Sequence, residues 1–300
     1  MESPEKSSEK SYIESPDKNS EKNYMKSPEK SSVRNFEKSP KKSPKKRPVK
    51  RSLKALYMAF GMFCAVPVPV LVWDEDCADM MMPSFPIVGL FIGAVWWGAA
   101  RLLTLSGIHI MLAAAAMTIV SLLAAGLIHL DGFMDTCDAV LSRRPPEEKA
   151  RILKDPHTGS FAVIMAIVLV FVQFAAAYVI IENAGRLVLL FVIPVISRSC
   201  SAMSMMCIRP AAHSGYAKLF KPKPGATRKL PPIVFAVCAI GFMYLTEGYF
   251  GLIVAAAAFA GFAAAMAGMC RTFKGVSGDL AGFALVISEL CGLIALALSR

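Results

Sequence analysis

The first 51 residues of this 300-residue chain contain no apolar run. A secretory signal peptide is built around such a run, so we expect this segment not to be one. The same lack excludes a hydrophobic core, and with it a folded nucleic-acid-binding module. We therefore expect no nucleic-acid partner, although the segment is basic.

The chain also lacks paired cysteines. Its eight Cys are scattered, none belongs to a CxxC pair, and most lie inside apolar runs. Small buried side chains explain this distribution better than a disulfide framework or a thiolate metal site.

The N-terminal segment is a repeat. Units that begin at Ser3, Ser15, Ser27 and Ser39 share a period of twelve residues and open on Ser-Pro. They are too polar to bury a core, so we predict a disordered tail over 1–51 and a membrane-embedded domain over 52–300. The tail ends in "KKSPKKRPVKR", a polybasic stretch suited to anionic membrane lipid on the cytoplasmic side.

Beyond the tail, apolar segments of 16–22 residues recur. A bilayer is crossed by about 20 apolar helical residues, because lipid offers backbone groups no partner. The fold class is therefore all-α, a polytopic bundle of about seven transmembrane helices. The predicted spans are 84–104, 108–127, 161–182, 187–207, 232–247, 249–269 and 281–298. A weaker segment, 53–72, contains "VPVPV" and an acidic flank, which favours an interfacial or re-entrant helix.

Basic residues gather in alternate loops, which places these loops in the cytoplasm. The loop between the second and third spans holds five of them, the loop between the fourth and fifth holds six, and the last holds Arg271 and Lys274. The other loops carry little positive charge. The chemistry-bearing residues fall on the basic, cytoplasmic side.

The densest polar motif is "HLDGFMDTCDAV", which follows the second span. Asp131, Asp135 and Asp138 are spaced i, i+4 and i+7, so on a helix they lie within about 60° of one another. Three carboxylates on one face repel each other unless a cation neutralises them, and oxygen ligands suit Mg²⁺ or Mn²⁺. The alternative is a solvated loop that caps a helix. His129, roughly opposite the three carboxylates, is either catalytic or a hydrogen-bonded interfacial residue.

Further polar residues lie near predicted helix ends. Lys154, Asp155, His157 and Gly159 precede the third span, where Gly-Ser allows phosphate to approach backbone N–H groups, or forms an ordinary N-cap. Arg198 lies inside an apolar span and needs an anion, either a protein carboxylate such as Glu289 or a substrate phosphate.

The last of these residues is Asp279, which follows two glycines and is either a ligand or an N-cap. Together the residues indicate metal-assisted transfer of a phosphate-bearing group at a membrane.

Five segments resemble the cobalamin synthase family, the adenosylcobinamide-GDP ribazoletransferases, over about residues 53–298. They are "FPIVGLFIGA", "HLDGFMDTCDAV", "ILKDPHTGSFAVI", "ISR" and "GVSGDLAGFALVISE". The resemblance implies a Mg²⁺-requiring enzyme of the prokaryotic inner membrane with a cytoplasmic active site. It would join adenosylcobinamide-GDP to α-ribazole, or its 5′-phosphate, and release GMP. Other cobalamin-assembly enzymes are possible partners.

On this resemblance the carboxylates of Asp131, Asp135 and Asp138 would hold the metal, and one of them or His129 would accept the hydroxyl proton. Substrate-binding roles would fall to the remaining candidates: Lys154, Asp155, His157, Gly159, Arg198, Asp279 and Glu289. The chain departs from the family pattern at Met134, Cys137 and Ala139, and His213 stands near a missing Arg. These departures bear on substrate preference rather than on the acidic residues.

Other functions remain as alternatives. A CDP-alcohol phosphotransferase also uses metal-bound carboxylates, but no Ala-Arg follows Asp131 and the later Gly/Asp series is absent. A membrane prenyltransferase needs a second Asp-rich motif. A transporter would show internal repeats or helices broken at mid-membrane.

Overall fold

The computed structural model describes residues 48–65, 73–212, 214, 220 and 226–299, all within a unit running from Lys46 to Arg300. Several predictions lie outside the described residues: the repeat tail through residue 47, residues 66–72 of the interfacial segment, and the loop residues His213, Lys218, Lys221 and Lys223. These stay predictions.

The described residues form helices and no strand. The helices are α1 (Pro48–Phe63), α2 (Glu75–Ala78), α3 (Met81–Leu105), α4 (Ile110–Ala124), α5 (Ile128–Leu141), α6 (Pro146–Ile152), α7 (Ser160–Asn183), α8 (Leu189–Cys207), α9 (Leu230–Glu247), α10 (Tyr249–Phe273) and α11 (Gly278–Leu298), with a 3₁₀ turn over Ala226–Lys229. The only extended pairing among them is an isolated bridge between Pro210 and Val276. The all-α prediction is confirmed.

Six of these helices are long and apolar enough to cross a bilayer: α3, α7, α8, α9 with the turn before it, α10 and α11. Large apolar side chains such as Phe171, Leu245 and Phe259 stand exposed on their outer faces. Lipid solvates such faces, whereas water would not. The polytopic membrane bundle is therefore confirmed, with six spans, or seven if α4 and α5 together count as one.

The second predicted span, 108–127, differs from the structure. Its helix α4 has 15 residues, too few to cross alone, and the chain then turns by 91° into α5. Gly126 lies at the turn with φ +69°, a backbone conformation that costs glycine little. Because the chain changes direction here, α5 and its carboxylates lie outside the six single-helix spans.

Helix α8 is the centre of the bundle and packs against α3, α9, α10 and α11. Its contact with α3 is close because Gly89 and Gly93 face it. A Cβ on Gly93 would overlap the backbone of Phe191, and one on Gly89 would lie 3.0 Å from Cα of Val195. Small residues four apart allow this approach between membrane helices, where dispersion contacts rather than the hydrophobic effect drive association.

The N-terminal helix α1 begins at Pro48, a few residues before the predicted domain boundary, and packs on α3. Asp79, which is buried between α2 and α3, forms ion pairs with Arg51 of α1 and with Arg228 of the turn before α9. One carboxylate thus joins three segments that are distant in sequence. Whether α1 lies at the interface stays a prediction.

Candidate active site

Helix α5 carries the three aspartates that the sequence placed on one face. It runs without a break from Ile128 to Leu141, so Asp131, Asp135 and Asp138 share that face as expected. Asp131 is exposed, and the other two are half-buried. None of the three forms an ion pair with another described residue. Within the part of the chain that the structure describes, no ion pair therefore balances the charge of this acidic face.

The charges on the acidic face act on one another. Burial, followed by the negative charges of Asp131, Asp279 and Asp138, raises the pKa of Asp135 to about 6. A cation held near these oxygens would reverse that effect, because opposite charge favours the ionised form.

The start of α11 brings Asp279 to the acidic face. A Cβ on Gly132 would lie 2.9 Å from Cα of Asp279 and 3.0 Å from its carbonyl oxygen, so only glycine allows the two backbones to meet. Ser277 caps α11 by accepting a hydrogen bond from the backbone N–H of Leu280 at 3.3 Å. The N-cap role considered for Asp279 therefore belongs to Ser277, and Asp279 lies in the first helical turn.

Gly159 brings the segment before α7 against the acidic face. It is the N-cap residue of α7, one of the two roles that the sequence left open, and a Cβ there would overlap the carboxylate oxygens of Asp138. The missing side chain thus leaves room for a carboxylate of the acidic face. From the sequence, this glycine either allows a phosphate to approach the backbone or caps the helix. The contact with Asp138 could not be predicted.

Changing Gly159 to Ala is expected to lower the kcat/KM of the transfer reaction predicted from the sequence about 100-fold, since a displacement near 1 Å at a reacting centre costs about that much. The fold should remain, because φ of −82° at this position suits alanine. Steady-state kinetics and thermal unfolding in detergent would measure both effects. Gly268→Ala is the matched control, because no atom lies within 4 Å of a Cβ there. Unchanged kcat/KM in Gly159→Ala would contradict the placement of Asp138.

A cavity of about 330 Å³ opens beside the acidic face, and both polar and apolar residues line it. Its charged and hydroxyl side chains, together called the polar wall, are Asp131, Lys154, Ser201, Ser214, Ser277 and Asp279. Its thioether and phenyl side chains, together called the apolar wall, are Met62, Phe63, Met82, Phe85, Met205 and Phe220. Three separate sequence motifs, on α5, before α7 and at the start of α11, therefore contribute charged side chains to one cavity.

His129 also lines this cavity and is 6% exposed. Its ring is stacked on Phe63, with centroids 5.8 Å apart and planes 9° apart, and is tilted against Phe85. Burial, and then the positive charge of Arg198, lowers the pKa of His129, so the imidazole is neutral. Nε2 has no hydrogen-bond partner among the described residues. The interfacial hydrogen bond considered for this residue is thus not observed there.

Arg198 and Glu289 form a buried pair, as the sequence suggested. Arg198 is 0% and Glu289 5% exposed, and Nη1 of the arginine donates to Oε1 of the glutamate. Ser197 donates to the same oxygen at 2.9 Å. The anion that Arg198 requires is thus a protein carboxylate. Neither residue lines the cavity, so a direct role in substrate binding stays a prediction.

Asp155 and His157 do not line the cavity. They are exposed and contact each other, with Nδ1 of His157 2.7 Å from Oδ1 of Asp155 and the backbone N–H of His157 donating to the same oxygen at 3.0 Å. The backbone hydrogen bond is the main reason that the pKa of Asp155 lies below its usual value. Of the motif "KDPHTGS", only Lys154 lines the cavity, while Gly159 contacts Asp138.

Comparison with known proteins decides the family. The sequence model described as Cobalamin-5-phosphate synthase matches residues 55–297. This chain belongs to the cobalamin-5-phosphate synthase family. No solved structure matches it.

Curated relatives agree with this family. An adenosylcobinamide-GDP ribazoletransferase of Clostridium botulinum (strain Eklund 17B / Type B) is 37% identical over 245 residues, which are 82% of this chain and 97% of the relative. One of Clostridium perfringens (strain ATCC 13124) is 34% identical over 81% of this chain and 97% of the relative. One of Stutzerimonas stutzeri (strain A1501) is 32% identical over 71% of this chain and 85% of the relative.

The described residues include no set of three His, Cys, Asp or Glu side chains that converge as a ready metal site. Magnesium rarely uses such a set, because it keeps several waters and takes one or two carboxylates together with substrate phosphate. The acidic face supplies hard carboxylate oxygens that form no ion pair with a described residue, and such oxygens are the donors that this ion accepts. The residues present fit Mg²⁺ bound jointly by protein and substrate.

The apolar wall could not be predicted from the sequence. Its members come from α1, α3, α8 and the segment before α9, and each looks like an ordinary membrane or core residue in sequence. Spacing carried no signal for them, because they meet only through packing. Ser277 had a signal, the pattern Ser-Gly-Asp before an apolar run, which is typical of an N-cap.

Proposed function

We propose that this chain joins adenosylcobinamide-GDP to α-ribazole, or to its 5′-phosphate, at the cavity beside the acidic face. The products would be adenosylcobalamin, or its 5′-phosphate, and GMP. Family membership makes the chain a transferase of cobalamin biosynthesis. The observation that carries the proposal is the shared lining of one cavity by Asp131, Asp279 and Lys154.

In the proposed reaction, the ribazole hydroxyl oxygen forms a bond to the phosphorus on the cobinamide side of the diphosphate. The bond from that phosphorus to the bridging oxygen breaks, and GMP takes the electron pair. Lys154 would offset the charge of the phosphates, since its exposed ammonium lines the cavity. Asp131 or Asp279, which both line the cavity, would accept the hydroxyl proton.

The acidic face would also hold Mg²⁺, with Asp131, Asp135 and Asp138 as its candidate ligands. When bound, the ion would neutralise diphosphate charge and so favour departure of GMP. His129, which is buried and neutral, would position the cavity walls by its stacking on Phe63 rather than transfer the proton.

The enzyme would lie in the prokaryotic inner membrane with this cavity open to the cytoplasm, where nucleotide substrates are made. The basic loops predicted for that side support the orientation, and Lys154 belongs to one of them. Membrane lipid would surround the exposed apolar helices, and association with other cobalamin-assembly enzymes is a further proposal. No observation favours a CDP-alcohol phosphotransferase or a transporter.

The test uses membranes that contain the full chain, supplied with adenosylcobinamide-GDP and α-ribazole 5′-phosphate. We expect GMP and the corrinoid product to form together in Mg²⁺ and to stop forming after chelation with EDTA. Membranes without the protein provide the background. Product formation that is unchanged in EDTA would overturn the role of Mg²⁺. Its absence from membranes holding folded protein would overturn the transferase proposal.

A further inference from the structure

The two walls of the cavity differ in chemistry. Carboxylates, an ammonium group and serine hydroxyls form the polar wall, whereas six thioether and phenyl side chains form the apolar wall. Phe63 and Phe85 lie with ring centroids 4.6 Å apart, and His129 lies 5.8 Å from both. A ligand that carries both polar groups and a flat, apolar ring system matches this lining.

The size of the cavity limits the ligand further. Its volume, about 330 Å³, is at the lower end of the range of about 300–1,000 Å³ for small-molecule pockets. A nucleoside fits that space, while a whole corrinoid nucleotide does not. Of the two substrates, ribazole is the small one, and it consists of a sugar with hydroxyl groups and a flat dimethylbenzimidazole base.

We propose that the apolar wall binds the base of the ribazole substrate, so that the ribose faces Asp131 and Asp279. This assignment rests on the proposed function and adds a binding subsite to it. Phenyl and thioether groups stack on flat rings and offer no hydrogen bonds. A base without exocyclic polar groups therefore suits this subsite better than adenine, whose amino group would lose hydrogen bonds to water where it meets phenyl and thioether groups.

The variant Met62→Gln tests the subsite. Met62 is half-buried, so an amide of similar length changes the polarity of the wall without opening a cavity in the core. We expect the KM for α-ribazole to rise about 10-fold, with kcat and the KM for adenosylcobinamide-GDP unchanged. Wild-type kcat/KM should favour α-ribazole over the matching adenine nucleoside at least 10-fold, and the variant should narrow this ratio.

Met203→Gln is the matched control, because Met203 is also half-buried but lines a separate groove of α8, α9 and α10. Equilibrium dialysis of α-ribazole against the purified protein in detergent separates this inference from the proposed function. Binding that weakens in Met62→Gln supports the subsite even if transfer is not detected. A raised KM for adenosylcobinamide-GDP alone, or no effect of Met62→Gln on ribazole binding, would overturn it.

Discussion

Replacing Asp135 with Asn should lower the kcat/KM of ribazole transfer about 1,000-fold. The change keeps the volume of the side chain and removes one negative charge from the centre of the acidic face. A metal ion contributes several kcal/mol to the stabilisation of charge in a transition state, and each 1.36 kcal/mol is about a factor of ten in rate. Steady-state kinetics in Mg²⁺ would measure the loss.

The same variant should be at least as stable as the wild type in EDTA. Four carboxylates act on one another here, and the raised pKa of Asp135 shows that its ionised form is disfavoured. Added Mg²⁺ should then raise the unfolding temperature of the wild type more than that of Asp135→Asn. Thermal unfolding in detergent, with and without Mg²⁺, reports on ion binding independently of activity.

The control for Asp135 is Glu147→Gln, which removes an exposed carboxylate from the first turn of α6. It should leave both kinetics and the response to Mg²⁺ unchanged. Near-normal transfer by Asp135→Asn would exclude this carboxylate from the chemistry. A normal response to Mg²⁺ in an inactive variant would exclude it from the ion site alone.

Replacing Glu289 with Ala should destabilise the protein by about 3–5 kcal/mol, because breaking a buried pair leaves one charge without compensation. Arg198, at 0% exposure, cannot reach water when its partner is lost. Denaturant unfolding in detergent would measure the change. Glu182→Ala, which alters an exposed glutamate near the end of α7, should change stability by less than about 0.5 kcal/mol.

A double variant separates packing from substrate binding. Arg198→Met with Glu289→Leu replaces the ion pair by apolar groups of similar size, a change that is often neutral or stabilising. We expect the double variant to regain most of the stability that Glu289→Ala loses, and to retain ribazole transfer. A stable but inactive double variant would show that Arg198 also binds a substrate phosphate. Stability as low as in the single variant would contradict the ion-pair explanation.

The sequence by itself determined the class of fold and the residue types of the chemistry. Apolar segments near 20 residues require helices, because no other single segment satisfies its backbone in lipid. The spacing of Asp131, Asp135 and Asp138 places them on one face wherever a helix forms. The need of Arg198 for an anion followed from its apolar neighbours alone. These properties depend on residues that are close together in the chain, so they can be predicted from a single sequence.

The tertiary structure decided which of these residues meet. Three features of the site require glycine, which has no Cβ. They are the turn at Gly126, the contact of Gly132 with Asp279 and the contact of Gly159 with Asp138. The apolar wall depends on helices far apart in the chain. Such contacts are set by packing between segments, which leaves no period or motif in the sequence. The packing thus separates Lys154, at the cavity, from Asp155 and His157, two exposed residues of the same motif.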